Sequence, residues 1–160
     1  MPSRSSRLSD FLPYQMSVST NAVSDLVAGK YRARFGLKIP EWRVMAVLGD
    51  AGALTQRDLV GATRMDKVAV NRACKMLEDR GLAARSPNDR DGRSHHLELT
   101  PAGKAMHAEI MPLALSMEQQ LFSVLTAQER RDFKAVLARI NEQVRKLERL
   151  APQHAPERDN

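Results

Sequence analysis

Apolar residues recur along the chain at two periods, and the switch between them outlines its elements. From Asp10 to Phe35 the period is helical. Leu12, Met16, Val23, Leu26 and Val27 fall at helical spacings, Pro13 lies in a tolerant first turn, and Gly36 ends the run. Pro40-Glu41 opens a short second helix with Trp42, Met45, Val47 and Leu48 as its apolar positions, and Gly49-Asp50-Ala51-Gly52 breaks it. Thr55 and Asp58 take capping-box positions at the start of a third helix. A fourth helix is predicted from about Asp66 to Arg80, with Val70, Cys74 and Leu77 on one face and Gly81 as its stop. The period then becomes strand-like in residues 82–86 and 95–99, which frame a charged hairpin tip, residues 87–94. Thr100-Pro101 caps a long fifth helix whose stripe runs from Ala105 to Val124, with a kink expected at Pro112. Thr126 and Glu129 cap a last helix with the stripe Phe133, Val136, Leu137, Ile140, Val144 and Leu147.

The fold class that follows is mainly α with a small β-wing, six helices in all. A flexible N-terminal arm, residues 1–9, and a flexible tail, residues 151–160, flank a single domain over 10–150. Within it a central lobe covers about 42–99. The outer helices, about 10–36 and 100–150, carry apolar stripes longer than this lobe can cover, and a symmetric dimer is the simplest way to bury them.

Composition sharpens the partner class. The chain has 160 residues, 42% of them hydrophobic, and a net charge of +6. Residues 1–40 hold six Lys/Arg against two Asp/Glu, and residues 55–104 hold ten against seven, whereas residues 105–125 carry only Glu109 and Glu118. That balance favours a phosphate-bearing partner for the first two segments and a protein partner for the third. No apolar run is long enough to span a membrane, no signal-peptide core opens the chain, and the single cysteine, Cys74, excludes an intrachain disulfide. A cytoplasmic protein without a membrane partner is expected.

Two helices joined by a short turn and followed by a hairpin are what duplex DNA reading requires: a winged helix-turn-helix, its second helix in the major groove. Lys67, Val68, Ala69, Asn71, Arg72 and Lys75 form the candidate groove face, with Thr55 and Gln56 at the start of the preceding helix. Asn71 and Arg72 can bond adenine and guanine edges, Val68 or Ala69 can touch a thymine methyl, and Lys67 and Lys75 suit phosphates. A solvated surface face would carry the same residues. Arg90 and Arg93 at the hairpin tip suit the minor groove, with Asp91 orienting Arg93.

The segment DKVAVNRACKMLEDRGLAARSPNDRDGRSHHLELTPAGK resembles the core signature of the MarR family. The resemblance rests on Asp66-Lys67, Val70-x-Arg72, Leu77-x-x-Arg80-Gly81-Leu82, Asp91-x-Arg93 and Leu99-Thr100-Pro101-x-Gly103, with IPEWRVMAVL and LTQRDLV upstream, and it extends over about residues 10–150. It implies an obligate homodimer with intertwined terminal helices. It further implies a near-palindromic operator, usually repression, and release by a small anionic or aromatic effector, an aromatic acid or its CoA thioester included. By the same resemblance Arg93 is the minor-groove residue and Asp91 its support. The family's ligand pocket would draw on Tyr14, Trp42, Arg43, Met45, His107 and Met111, although for each of them ordinary core or dimer packing is the better explanation.

Other triggers find less support. Cys74 shares the apolar face of Val70 and Leu77 and reads as a core residue. His95 and His96 are strand neighbours pointing to opposite faces, so with His107 and His154 they make a poor zinc set. No metal and no cofactor is expected. No nucleophile–base motif or phosphate loop is present, so an enzyme is not expected either. The alternative is a DNA-binding regulator with no small-molecule ligand, or one responding to metal or oxidation.

Overall fold

Proline and glycine punctuation, helix caps and one short sheet set the architecture. In a computed structural model, residues 7–87 and 94–150 are described. A 3-10 turn, Leu8–Asp10, precedes α1, Leu12–Phe35, then α2, Ile39–Ala51. The two-residue strand β1, Leu54–Thr55, leads into α3, Gln56–Thr63, and α4, Lys67–Asp79. Strands β2, Ala83–Pro87, and β3, His95–Leu99, precede α5, Pro101–Leu121, and α6, Ala127–Leu150. By internal packing the chain divides between Ser116 and Met117 into two bodies.

The sheet is antiparallel in the order β1-β3-β2. Leu54 stands opposite Leu97, Ala83 opposite Leu99 and Pro87 opposite His95. Leu97, Leu99 and Ala83 are buried in the register, so the sheet turns one apolar face to the core. The core of the first body takes Leu37, Val44, Met45 and Leu48 from α2 and its approach, Leu59 from α3, and Val70, Cys74 and Leu77 from α4. Ile110 of α5 completes it, fully buried. Of α1, only Ala28, Tyr31 and Phe35 are buried; Leu12, Met16 and Leu26 are exposed.

Several boundaries differ from the sequence pattern. Leu8 and Ser9, assigned to the arm, belong to the 3-10 turn. Helix α2 is not broken at Gly49 but runs on to Ala51. The physical reason is packing: a Cβ at Gly49 would sit 2.4 Å from His107 Nε2, so this glycine makes room for an imidazole inside a helix. Strand β1 is too short to show a period, and its partner Leu97 lies more than forty residues away. Strand β2 starts at Ala83, one residue later than expected. Helix α5 continues through Pro112 but ends at Leu121, leaving Val124 outside the stripe and 84% exposed.

The junction of α4, sheet and α5 is tightly specified. Thr100 donates its hydroxyl to Gly81 O at 2.6 Å and its N–H to Leu82 O at 3.1 Å. Its hydroxyl oxygen accepts from Gly103 N–H at 3.1 Å, capping α5. A Cβ at Gly103 would fall 1.9 Å from Leu82 O, so only glycine permits this approach.

Candidate nucleic-acid interface

Helix α3 begins with a complete capping box. Asp58 N–H donates to the Thr55 hydroxyl at 3.2 Å, and the Asp58 carboxylate accepts from Thr55 N–H at 3.1 Å and from the hydroxyl at 2.7 Å. The Thr55 hydroxyl holds the Asp58 carboxyl below its usual range, with help from the Thr55 N–H. At its far end Arg64 adopts a left-handed conformation, φ 54°, which turns the chain within three residues into α4. Asp66 then caps α4 by accepting from Ala69 N–H at 2.8 Å.

Helix α4 is sharply two-faced. Val70, Ala73, Cys74 and Leu77 are buried, while Lys67, Val68, Asn71, Arg72 and Lys75 are exposed. At ~100° per residue, Val68, Arg72 and Lys75 lie within ~60° of one another and opposite the centre of the buried face. Ala69 is half-buried on the flank. Lys75 pairs with Asp79 at 3.2 Å on the same surface.

Three contacts hold this helix in place. The Arg85 guanidinium meets the Glu78 carboxylate at 2.8 Å, tying β2 to α4. Arg80, just past α4, donates to Phe35 O at 2.8 Å and Gly36 O at 3.2 Å, satisfying the carbonyls at the end of α1. The third is burial of Cys74, whose desolvation pushes its thiol pKa up. That environment keeps the thiol protonated and unreactive.

Not every expected DNA contact projects outward. Gln56 is half-buried and lines a cleft of about 10 Å3 with Leu59, Cys74, Arg85, His95 and Leu97. The Thr55 hydroxyl is engaged in its cap. Arg90, Asp91 and Arg93 lie outside the described residues.

A capped helix pair, a cationic second helix and an antiparallel hairpin together make a winged helix-turn-helix. Over residues 35–94 the sequence matches the model of the MarR family. Over that stretch, 60 of its 160 residues, the chain is similar to the MarR family.

Relatives agree with this placement. The HTH-type transcriptional regulator YdgJ of Bacillus subtilis (strain 168) is 28% identical over 82 residues, which cover 51% of this chain and half the length of that protein. A probable transcriptional regulator from Pseudomonas aeruginosa is 29% identical with a TM-score of 0.73, covering 84% of this chain and 99% of that one. BpsR of Bordetella bronchiseptica is 26% identical with a TM-score of 0.68, covering 79% and 98% respectively; DNA binding by that protein is regulated by 6-hydroxynicotinic acid. The matched family model is that of the MarR family, and the fold is shared with the Pseudomonas aeruginosa transcriptional regulator.

The ligand residues expected from the MarR resemblance are only partly brought together. Trp42 stands between Tyr31, with ring centroids 4.8 Å apart, and His107, at 6.4 Å and nearly parallel. The buried His107 Nε2 has no hydrogen-bond partner among the described residues. Met111 is half-buried on the same helix as His107, and Arg43 is exposed. Met45 is wholly enclosed in the core and lines no open space. Tyr14 does not join the group: α1 is continuous from Leu12 to Phe35, and 17 residues of helix put Tyr14 about 25 Å from Tyr31 along the axis. Sequence reasoning missed Tyr31, the residue of α1 that does meet Trp42. Its spacing of four from Phe35 was the available signal.

Among the described residues no group of three or more His, Cys, Asp or Glu could hold a metal ion. No described helix is long and apolar enough to cross a membrane.

Proposed function

We propose that this chain is a homodimeric, sequence-specific repressor that leaves its operator when a small anionic aromatic molecule binds. The observation that carries the DNA reading is the polarity of α4. Val70, Ala73, Cys74 and Leu77 are buried in the core, and the outward face presents Lys67, Asn71, Arg72 and Lys75. In this reading Asn71 and Arg72 contact base edges, Lys67 and Lys75 contact phosphates, and Ala69 lies against the groove wall. Thr55 and Gln56 approach the backbone beside them, and Arg90 and Arg93 enter the minor groove with Asp91 as support.

Dimerisation is supported by the unburied apolar residues of the outer helices. Leu12, Met16 and Leu26 of α1 are 69%, 42% and 53% exposed, and Leu147 and Leu150 of α6 are 56% and 70% exposed. The effector reading is supported by Trp42 and His107, a stacking surface beside a buried nitrogen that has no partner among the described residues, and by the small aromatic acid that regulates BpsR. In this reading Trp42, Arg43, His107 and Met111 receive such a molecule, while Tyr14 and Met45 lie apart from them within the chain.

The test has three arms. Light scattering should give twice the chain mass of 17.9 kDa. Selection from random duplexes should enrich a two-fold-related site with half-sites roughly 34–36 Å apart. Aromatic acids and their CoA thioesters should raise the melting temperature and release that duplex. A monomer, or no enriched duplex, would refute the architecture. Indifference to every aromatic acid would refute the effector while leaving the DNA reading in place.

A further inference from the structure

Val68 stands out on α4. It is 59% exposed, at the second position of a helix whose other outward residues near it are Lys67, Asn71 and Arg72. Its exposure means that the core does not use it. Helix formation does not call for it either, because a β-branched residue is poorer than alanine there. The Asp66 cap does not need it, since that bond goes to the backbone of Ala69. The first turn of a helix favours acidic or polar side chains, not an apolar one. The other exposed apolar residue of α4, Met76, sits in the opposite half and about 80° around the axis.

We propose that Val68 reads the 5-methyl group of a thymine in the operator's major groove. This deepens the operator reading of α4 given above and rests on it. The thymine methyl is the apolar group that base pairs present in that groove, and a valine held at the leading end of the inserted helix matches it. About 6 Å of rise separates Val68 from Arg72. The thymine and the base met by Arg72 therefore fall within two base-pair steps of each other. The site becomes one apolar contact beside one hydrogen-bonded contact, which discriminates thymine from cytosine at a position that arginine cannot read.

The experiment removes the methyl alone. A duplex selected from random sequence by the full-length chain is resynthesised with each thymine replaced in turn by deoxyuridine, and affinities are measured by fluorescence anisotropy at fixed salt. The wild type should lose about fourfold per half-site at one position, the equivalent of one buried methyl-sized group. In Val68→Ala the same replacement should have no effect, giving a closed double-mutant cycle. This variant keeps its fold because the side chain is exposed and alanine favours helix. Equal binding of all deoxyuridine duplexes by the wild type overturns the assignment alone. So does a methyl effect of the same size in Val68→Ala. Failure to enrich any duplex overturns the operator reading and this assignment with it.

Discussion

The guanidinium of Arg80 donates to the carbonyl oxygen of Phe35 at 2.8 Å, across 45 residues of sequence. A second bond reaches Gly36 O at 3.2 Å. The end of α4 thereby caps the end of α1. Arg80→Ala should destabilise the fold by about 1–2 kcal/mol, at the low end for a charged donor because the residue is exposed. Arg80→Lys, reaching one carbonyl, should recover part of this. Urea denaturation at one fixed protein concentration measures both, and an unchanged midpoint in Arg80→Ala would refute the capping role.

Gly103 and Gly61 should respond oppositely to the same change. A methyl at Gly103 would strike Leu82 O, which is backbone and cannot swing aside. Gly103→Ala is expected to destabilise by roughly 3 kcal/mol or more, among the severe single substitutions. At Gly61, inside α3, nothing lies within 4 Å of the added methyl. Gly61→Ala should stabilise by roughly 0.5–1 kcal/mol through lower unfolded-state entropy. Melting temperatures that move in the same direction would contradict this pair.

Gly49 and His107 form a coupled pair. The Gly49→Ala methyl would lie 2.4 Å from Nε2 and 2.6 Å from Cε1 of His107, forcing the ring off its place beside Trp42. A destabilisation of about 1–3 kcal/mol is expected, as for other overpacked sites. His107→Ala removes the obstruction, so the double variant should lose at least about 1 kcal/mol less than the sum of the singles. Additive losses would show that the two do not touch.

The α3 cap should leave a signature in acid. Asp58 has a depressed folded-state pKa, owing first to the Thr55 hydroxyl and then to the Thr55 N–H. A depressed carboxylate contributes stability above its unfolded value, ordinarily about 3.9, and loses it as pH falls through the lower folded value. Wild type and Asp58→Asn should therefore differ in thermal midpoint at pH 5 and above, and the gap should close below about pH 4. A gap constant from pH 6 to pH 3 would mean that the charge of Asp58 plays no part.

Features with local causes were legible in the sequence. The Thr55–Asp58 and Thr126–Glu129 boxes and the buried face of α4 follow from residues three and four apart. Features caused by distant neighbours were not. Gly49 looks like a helix break until His107 is seen against it, and β1 is a strand only because Leu97 pairs with Leu54. Arg80 reads as the last charge of a surface helix, since nothing near it in sequence names Phe35 as its acceptor. For the effector residues, a shared helix does not mean a shared place: Tyr14 and Tyr31 are both on α1, but Tyr31 is the one whose ring meets Trp42.

The bonds from Thr100 to Gly81 O and Leu82 O close the neck of the hairpin before either strand begins to pair. A loop whose ends are already fastened can be lengthened with little penalty, about 0.6 kcal/mol for each doubling of a flexible segment. The neck thus makes the hairpin an interchangeable cassette. Insertions between β2 and β3 are therefore expected to leave these neck bonds, and the helices behind them, in place.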